Sequence, residues 1–270
     1  MFDEILACLD GSSLSENILP LARGLTPPKG GKLTLLRVVG DNAELSSEEP
    51  YLRDCARQYS ARLELVIASD PATAIGAELK RNPRAIAALT THGRTAWAEA
   101  ILGSVALRVL RESRRPVILY RPLAGTGATP KNVTTIITAL DGSPFSEQII
   151  PYAVKAAQSL SAKLMLIQAL PLQPPVSPLG TQQRTDINES SYLHWQAADI
   201  KSAYGVVPEW EVLHGEPADA ICRYVKGIPE AMLAMTTHAR GGLERAVIGS
   251  VSGACVRHAG IPLLLYWPHS

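Results

Sequence analysis

Residues 5–12 read Ile-Leu-Ala-Cys-Leu-Asp-Gly-Ser, and residues 136–143 repeat the pattern as Ile-Ile-Thr-Ala-Leu-Asp-Gly-Ser. A short apolar run that ends in Asp-Gly-Ser is typical of a buried strand followed by a tight turn. The same eight-residue pattern at two distant places therefore indicates an internal duplication, which would set the architecture of the whole chain.

Two further segments recur in the same order. Thr90-Thr91-His92 returns as Thr236-Thr237-His238, and Gly103-Ser104-Val105 returns as Gly249-Ser250-Val251. The offset between matching residues is 131 at the first pattern and 146 at the later two, so the second copy carries about fifteen extra residues. We predict two domains, residues 1–124 and 130–270, joined by a short linker over 124–130.

Within each copy, short apolar runs alternate with amphipathic stretches, which is typical of a parallel sheet covered by helices. The first copy predicts strands over 4–9, 32–39, 63–68, 85–91 and 116–120, and helices over 13–25, 49–60, 72–82 and 104–113. The second predicts strands near 133–140, 163–170, 209–213, 230–236 and 262–266, and helices near 146–160, 189–204, 217–226 and 250–258. The predicted fold class is α/β, with two tandem open, doubly wound domains that each have a five-stranded parallel sheet.

The extra residues of the second copy fall in a Pro-rich stretch, 171–188. Four prolines and the lack of periodicity predict a long loop there. A mobile loop and a lid over a binding site both remain open.

Composition excludes several partners. The formal net charge is +1, so no overall field would recruit nucleic acid, and no segment is apolar over the length that a membrane span needs. The four cysteines show no metal-binding spacing and are expected to be buried free thiols, which favours a reducing, cytoplasmic location.

Ligands of open α/β sheets bind beyond the carboxyl ends of the strands. Asp10 follows the first predicted strand of copy one, and Asp141 follows that of copy two. Such a carboxylate can accept hydrogen bonds from ribose hydroxyls or a base amine. It can equally cap the turn and the following helix, and local sequence does not separate these readings.

The second candidate segment, Thr90 to Gly93, leaves the fourth strand, and the third is Gly103-Ser104-Val105 at a helix start. The N–H groups at a helix N-terminus attract phosphate, and glycine allows close approach. No lysine follows, so the pattern is not that of a P-loop. A Gly-Ser pair before a helix is also a common N-cap.

Taken together, these residues resemble the universal stress protein family in tandem form. The family's nucleotide-binding members carry G-x-x-G, nine residues and then G-[ST] after an early Asp-Gly-Ser turn, and Gly93, nine residues and Gly103-Ser104 match that spacing. The resemblance implies a nucleotide-binding fold like that of adenine-nucleotide alpha hydrolases and a bound ATP or AMP, with Mg²⁺ left open. The residues it implies for this site are Asp10, Val39 (through its backbone), Thr90, His92, Gly93, Gly103, Ser104 and Val105, and in the second copy Asp141, Gly249, Ser250 and Val251.

The chain departs from the family motif at three positions. Thr90 and Thr236 stand where the first glycine is expected, and Ala239 replaces the second glycine in copy two. We therefore expect the first copy to hold the better nucleotide site.

The last strands, 116–120 and 262–266, are apolar and need cover. The resemblance implies that they pair within the chain to give a pseudo-two-fold unit. Pairing of two whole chains into a homodimer remains open, as does a regulatory protein partner.

Three functions compete. The leading hypothesis is a non-enzymatic stress-response sensor or regulator that binds an adenine nucleotide. The others are a scaffold of the same fold that does not use nucleotide, and a slow ATPase. His92 and His238 have no matched carboxylate, Cys or His nearby in sequence, so we predict no catalytic residue and no metal site.

Overall fold

A computed structural model describes residues 3–91, 102–122, 131–172, 182–237 and 248–268, with only the helical backbone given for 182–189. We call the described residues up to 122 the first half and those from 131 the second half. The predicted linker, 124–130, lies outside the described residues, so the domain boundaries at 124 and 130 stay a prediction.

The first half alternates strands and helices in the predicted order. Its strands are β1 (Glu4–Leu9), β2 (Lys32–Val39), β3 (Arg62–Ile67), β4 (Ala85–Thr90) and β5 (Val117–Tyr120). Its helices are α1 (Ile18–Leu25), α2 (Asn42–Gln58), α3 (Pro71–Arg81) and α4 (Ser104–Ser113). Helix α3 begins as its sequence predicts, with Asp70 accepting a hydrogen bond from the Ala72 N–H and Pro71 in the first turn.

The second half repeats this order. Its strands are β6 (Thr135–Leu140), β7 (Lys163–Leu170), β8 (Glu209–His214), β9 (Ala231–Thr236) and β10 (Leu263–Tyr266). Its helices are α5 (Pro144–Glu147), α6 (Ile150–Leu160), α7 (Gln182–Tyr204), α8 (Pro217–Lys226) and α9 (Ser250–His258). The duplication seen in the sequence is thus a duplication of strand and helix order.

The strands form one ten-stranded sheet in the order β3-β2-β1-β4-β5-β10-β9-β6-β7-β8. Every neighbouring pair is parallel except β5 and β10, which run antiparallel with Ile118 opposite Leu264. The predicted α/β class and the predicted pairing of the two last strands are confirmed. The pairing covers the apolar edge of each half with the other and leaves β3 and β8 at the outer edges.

Both faces of the sheet carry a hydrophobic core that crosses the seam between the halves. One core packs under α1, α2, α6 and α7, and it includes Ile118 and Leu264. The other packs under α3, α4, α8 and α9, and it includes Leu119 and Leu263. Because each core takes side chains from both halves, the apolar side chains of one half are buried in part against those of the other.

The structure corrects three helix predictions. Helix α2 begins at Asn42 instead of near 49, since the Asp41 side chain caps it by accepting from the Glu44 N–H and Pro50 is accommodated inside it. The predicted loop 171–188 is wrong from Gln182 onward, where α7 begins, and residues 173–181 lie outside the described part. The first helix is preceded by a 3-10 turn over Ser15–Asn17, so α1 starts at Ile18 instead of 13.

The described residues contain neither a helix that could span a membrane nor a cluster that could bind a metal ion. None of their helices combines the length and apolar character needed to cross a membrane. No group of three or more of their His, Cys, Asp or Glu side chains is arranged to hold a metal ion.

Candidate functional site

Each half has a cavity at the carboxyl ends of its strands, beside the helix that follows the fourth strand. The first-half cavity has a volume of about 230 Å³ and lies between β1, β2, β4 and the starts of α3 and α4. The second-half cavity has a volume of about 330 Å³ and lies between the matching elements. This is the edge of an open parallel sheet at which ligands bind.

Most of the described first-half residues that the sequence singles out lie around the first cavity. Asp10 is at one side, and Thr90 and the start of α4 are at the other; the lining includes Asp10, Thr90, Gly103, Ser104 and Val105. Val39 does not line it. Val39 is buried, its carbonyl accepts a hydrogen bond from the Ala68 N–H, and Val38 lines the cavity instead.

The second cavity brings together the matching residues. Its lining includes Asp141, Thr236, Gly249, Ser250 and Val251. Leu170 and Pro171 close one side at the end of β7. The two threonines that replace the first motif glycine, Thr90 and Thr236, thus line a cavity in each half.

Four predicted or compared positions lie outside the described residues. They are His92 and Gly93 after β4, and His238 and Ala239 after β9. The roles assigned to them therefore stay predictions.

The Asp-Gly-Ser turn has the same hydrogen bonds in both halves. Asp10 Oδ1 accepts from the Ser12 N–H at 2.9 Å and from the Ser12 hydroxyl at 2.6 Å. Asp141 Oδ1 accepts from Ser143 at the same two distances. Gly11 and Gly142 make the turn with positive φ, which glycine adopts without strain. The carboxylate therefore caps its turn and lines the cavity at once, so the two readings of the sequence are compatible.

The Gly-Ser segment is tied to the end of the fourth strand. The Gly103 N–H donates to the Thr91 carbonyl at 2.7 Å, and the Gly249 N–H donates to the Thr237 carbonyl at 2.7 Å. These two N–H groups are used within the protein. The N–H groups left for an anion are those of the first helical turn, which begins at Ser104 in α4 and at Ser250 in α9.

Close packing explains why glycine stands at these two positions. Both have φ near −60°, which other residues adopt equally well. A Cβ added at Gly103 would lie 3.1 Å from the Thr91 carbonyl oxygen, and one at Gly249 would lie 2.6 Å from the Thr237 carbonyl oxygen. The strand end approaches the glycine too closely for a side chain, whether or not a phosphate binds.

Arg37 makes the first cavity different from the second. It lines the first cavity from β2, is only 5% exposed, and pairs with Glu44 at 2.7 Å and Glu48 at 2.6 Å on α2. The matching residue of β7, Gln168, does not line the second cavity. Sequence reasoning missed Arg37, although a single cation inside an apolar strand was a visible signal.

Comparison with known proteins identifies the family of this chain. The model of the universal stress protein family matches residues 132–266, which is half of the chain. A universal stress protein of Mycobacterium tuberculosis is 26% identical over 215 residues, which cover 77% of this chain and 70% of that protein.

Solved structures show the same fold. A universal stress protein from Archaeoglobus fulgidus is similar over 99% of both chains, with a TM-score of 0.70 and 18% identity. A universal stress protein solved in complex with cAMP is similar to about half of the chain, covering 51% of it and 98% of that protein, with 21% identity and a TM-score of 0.40.

Proposed function

The chain belongs to the universal stress protein family, and we propose that it binds an adenine nucleotide and acts as a non-enzymatic sensor or regulator in the stress response. One observation carries the proposal. In each half the Asp of the first strand turn and the Gly-Ser start of a helix line a single cavity at the carboxyl edge of the sheet. The same combination of groups in both halves supports one class of ligand.

The chemistry of the cavity suits a nucleotide. Asp10 and Asp141 place an acceptor where ribose hydroxyls can donate to it. The first turns of α4 and α9 offer N–H groups and the positive end of a helix dipole to phosphate, and Ser104 and Ser250 add hydroxyls. Apolar side chains such as Ile75 and Ile221 provide a surface for the base.

We propose that the two halves bind unequally. Gly93 in the sequence favours the first half as the main site. Cavity size favours the second, because about 330 Å³ falls inside the usual range for ligand pockets, about 300–1,000 Å³, and about 230 Å³ falls below it. Among the described residues, Arg37 adds a cation to the lining of the first cavity, and the described lining of the second cavity has none.

Replacing Asp10 and Asp141 in turn with asparagine should identify the binding half. Asparagine keeps an oxygen that can accept from the turn serine, but it loses the charge and replaces one acceptor by a donor. A hydrogen bond to a charged group contributes about 1.5–3 kcal/mol, so affinity should fall about 10- to 150-fold at the half that binds. Titration calorimetry with ATP and with AMP measures this fall.

Asp54→Asn is a matched control, since Asp54 is exposed on α2 outside both cavities. It should bind like the wild type. Wild-type protein that binds neither nucleotide would overturn the proposal, and unchanged affinity in both Asp10→Asn and Asp141→Asn would show that these cavities are not the site.

The lining of the cavities favours binding over catalysis. Among the described residues, no lysine or histidine lines either cavity, and the guanidinium of Arg37, which does line the first cavity, is paired with Glu44 and Glu48. ATP turnover well above background, abolished by His92→Ala, would support the slow ATPase instead. Mass spectrometry of small molecules released on denaturation tests the nucleotide-free scaffold, because a retained adenine nucleotide excludes it.

Location and partners complete the proposal. We propose a cytoplasmic protein, since Cys8, Cys55, Cys222 and Cys255 are all free thiols. A regulatory protein that distinguishes the nucleotide-bound form, and a second copy of the chain, are the partners to seek. Size-exclusion chromatography with and without ATP would detect a change in assembly.

A further inference from the structure

Two buried thiols face each other behind the second cavity. Cys222 on α8 and Cys255 on α9 lie 33 residues apart in sequence, and their Sγ atoms are 3.8 Å apart in a hydrogen-bonded contact. Cys222 is 8% exposed and Cys255 is fully buried. Two sulfurs at this distance are in van der Waals contact, and a disulfide bond of about 2.05 Å needs a further approach of under about 2 Å.

The two thiols differ in their surroundings and therefore in their pKa. The hydrogen bond with Cys255 lowers the pKa of Cys222, and the nearby Lys226 ammonium acts in the same direction against the effect of burial. The same hydrogen bond and then burial raise the pKa of Cys255. Cys222 is therefore the thiol that more readily forms the nucleophilic thiolate, and Cys255 is placed to react with its oxidised product.

We propose that hydrogen peroxide converts Cys222 and Cys255 into a reversible disulfide that links α8 to α9. The Cys222 thiolate attacks one peroxide oxygen, the O–O bond breaks, and hydroxide leaves and is protonated to water. The resulting sulfenic acid is attacked by the Cys255 sulfur, so that the S–S bond forms and the S–O bond breaks. The Cys255 proton leaves with the departing oxygen as a second water. Two thiols are oxidised and one peroxide is reduced.

The link would act on the walls of the second cavity. Ile221, next to Cys222, lines that cavity, as do Val251 and Ser252, about one helical turn before Cys255. Drawing α8 and α9 together changes the space between these walls. This step rests on the proposed nucleotide function, whereas formation of the disulfide does not.

Only the second half can respond in this way. An offset of 146 relates α3 to α8 and α4 to α9. The first-half positions equivalent to Cys222 and Cys255 are therefore Gly76 and Val109, which carry no thiol. Oxidation would therefore change the second-half nucleotide site and leave the first-half site unchanged. Two identical halves could not respond differently in this way.

The test compares reduced and peroxide-treated protein by thiol titration after denaturation and by peptide mapping without reductant. We expect the loss of two of the four thiols and a covalent link between tryptic peptides 202–223 and 246–257, both reversed by dithiothreitol. Cys55→Ser is the matched control and should still form the link. Cys222→Ser and Cys255→Ser should not.

Retention of all four thiols, a link between other peptides, or sulfinic acid at Cys222 without a link would overturn the proposal. Protein in which the disulfide is fully formed should then bind ATP more weakly at the second-half site, which is the site that Asp141→Asn weakens. Unchanged affinity would exclude coupling to the cavity. Peptide mapping detects the disulfide without any nucleotide. Absence of nucleotide binding would therefore contradict the proposed function and leave the disulfide proposal standing.

Discussion

Replacing Gly249 with alanine should lower the free energy of unfolding by about 3 kcal/mol, and the same change at Gly103 should lower it by about 1 kcal/mol. The new methyl group would meet the Thr237 carbonyl oxygen at 2.6 Å in the first case and the Thr91 carbonyl oxygen at 3.1 Å in the second. Backbone atoms held by hydrogen bonds cannot rotate away, so α9 or the end of β9 must shift. Denaturation in guanidinium chloride measures both variants against the wild type.

Gly76→Ala is a matched control for the first prediction. Gly76 lies inside α3, and a Cβ there meets nothing within 4 Å, so alanine should be neutral or should stabilise by up to about 1 kcal/mol. Equal losses at Gly103 and Gly249 would contradict the steric explanation. Unchanged stability of Gly249→Ala together with weaker ATP binding would instead point to a role only in binding.

This packing changes how variants of the Gly-Ser segment should be interpreted. A bulky residue at position 103, such as valine, would clash with the Thr91 carbonyl whether or not a ligand is bound. Loss of ATP binding in Gly103→Val would therefore mix damage to the fold with loss of phosphate contacts. Substitutions at Asp10 and Asp141 separate the two effects, because asparagine can preserve the turn.

Periodic features of the sequence predicted the fold well. Apolar runs located the strands to within about two residues because burial in a parallel sheet requires continuous hydrophobic character. Asp70-Pro71 located the start of α3 because the cap and the proline act locally. The pairing of β5 with β10 came from the family resemblance and from the need to cover two apolar edges.

Features that depend on tertiary contacts were not predictable from one sequence. Arg37 is buried in its strand with its guanidinium paired to Glu44 and Glu48 on α2, whose start was predicted seven residues too late. Cys222 and Cys255 meet only when α8 packs on α9, and nothing in their spacing shows it. The resemblance implied a backbone contact at Val39, but the Val39 carbonyl accepts from the Ala68 N–H and Val38 lines the cavity instead.

Truncating Leu264 to alanine should destabilise both halves together, by about 3 kcal/mol. Leu264 is fully buried at the seam, opposite Ile118, in a core that includes side chains of α1 and α6. A cavity left there weakens the packing of both halves at once. Ile67→Ala is a matched control, because Ile67 is 48% exposed on the edge strand β3 and should cost less than about 1 kcal/mol.

Two spectroscopic probes can show whether the halves unfold as one unit. Three of the four tryptophans, Trp195, Trp210 and Trp267, belong to the second half, whereas circular dichroism reports helices of both. Because the cores cross the seam, we expect fluorescence and circular dichroism to give coincident transitions in the wild type, and coincident transitions at lower denaturant in Leu264→Ala. A fluorescence transition that separates from the circular dichroism transition would mean that the halves fold independently. In that case ligand binding or oxidation in one half would have no route through the shared core to the other.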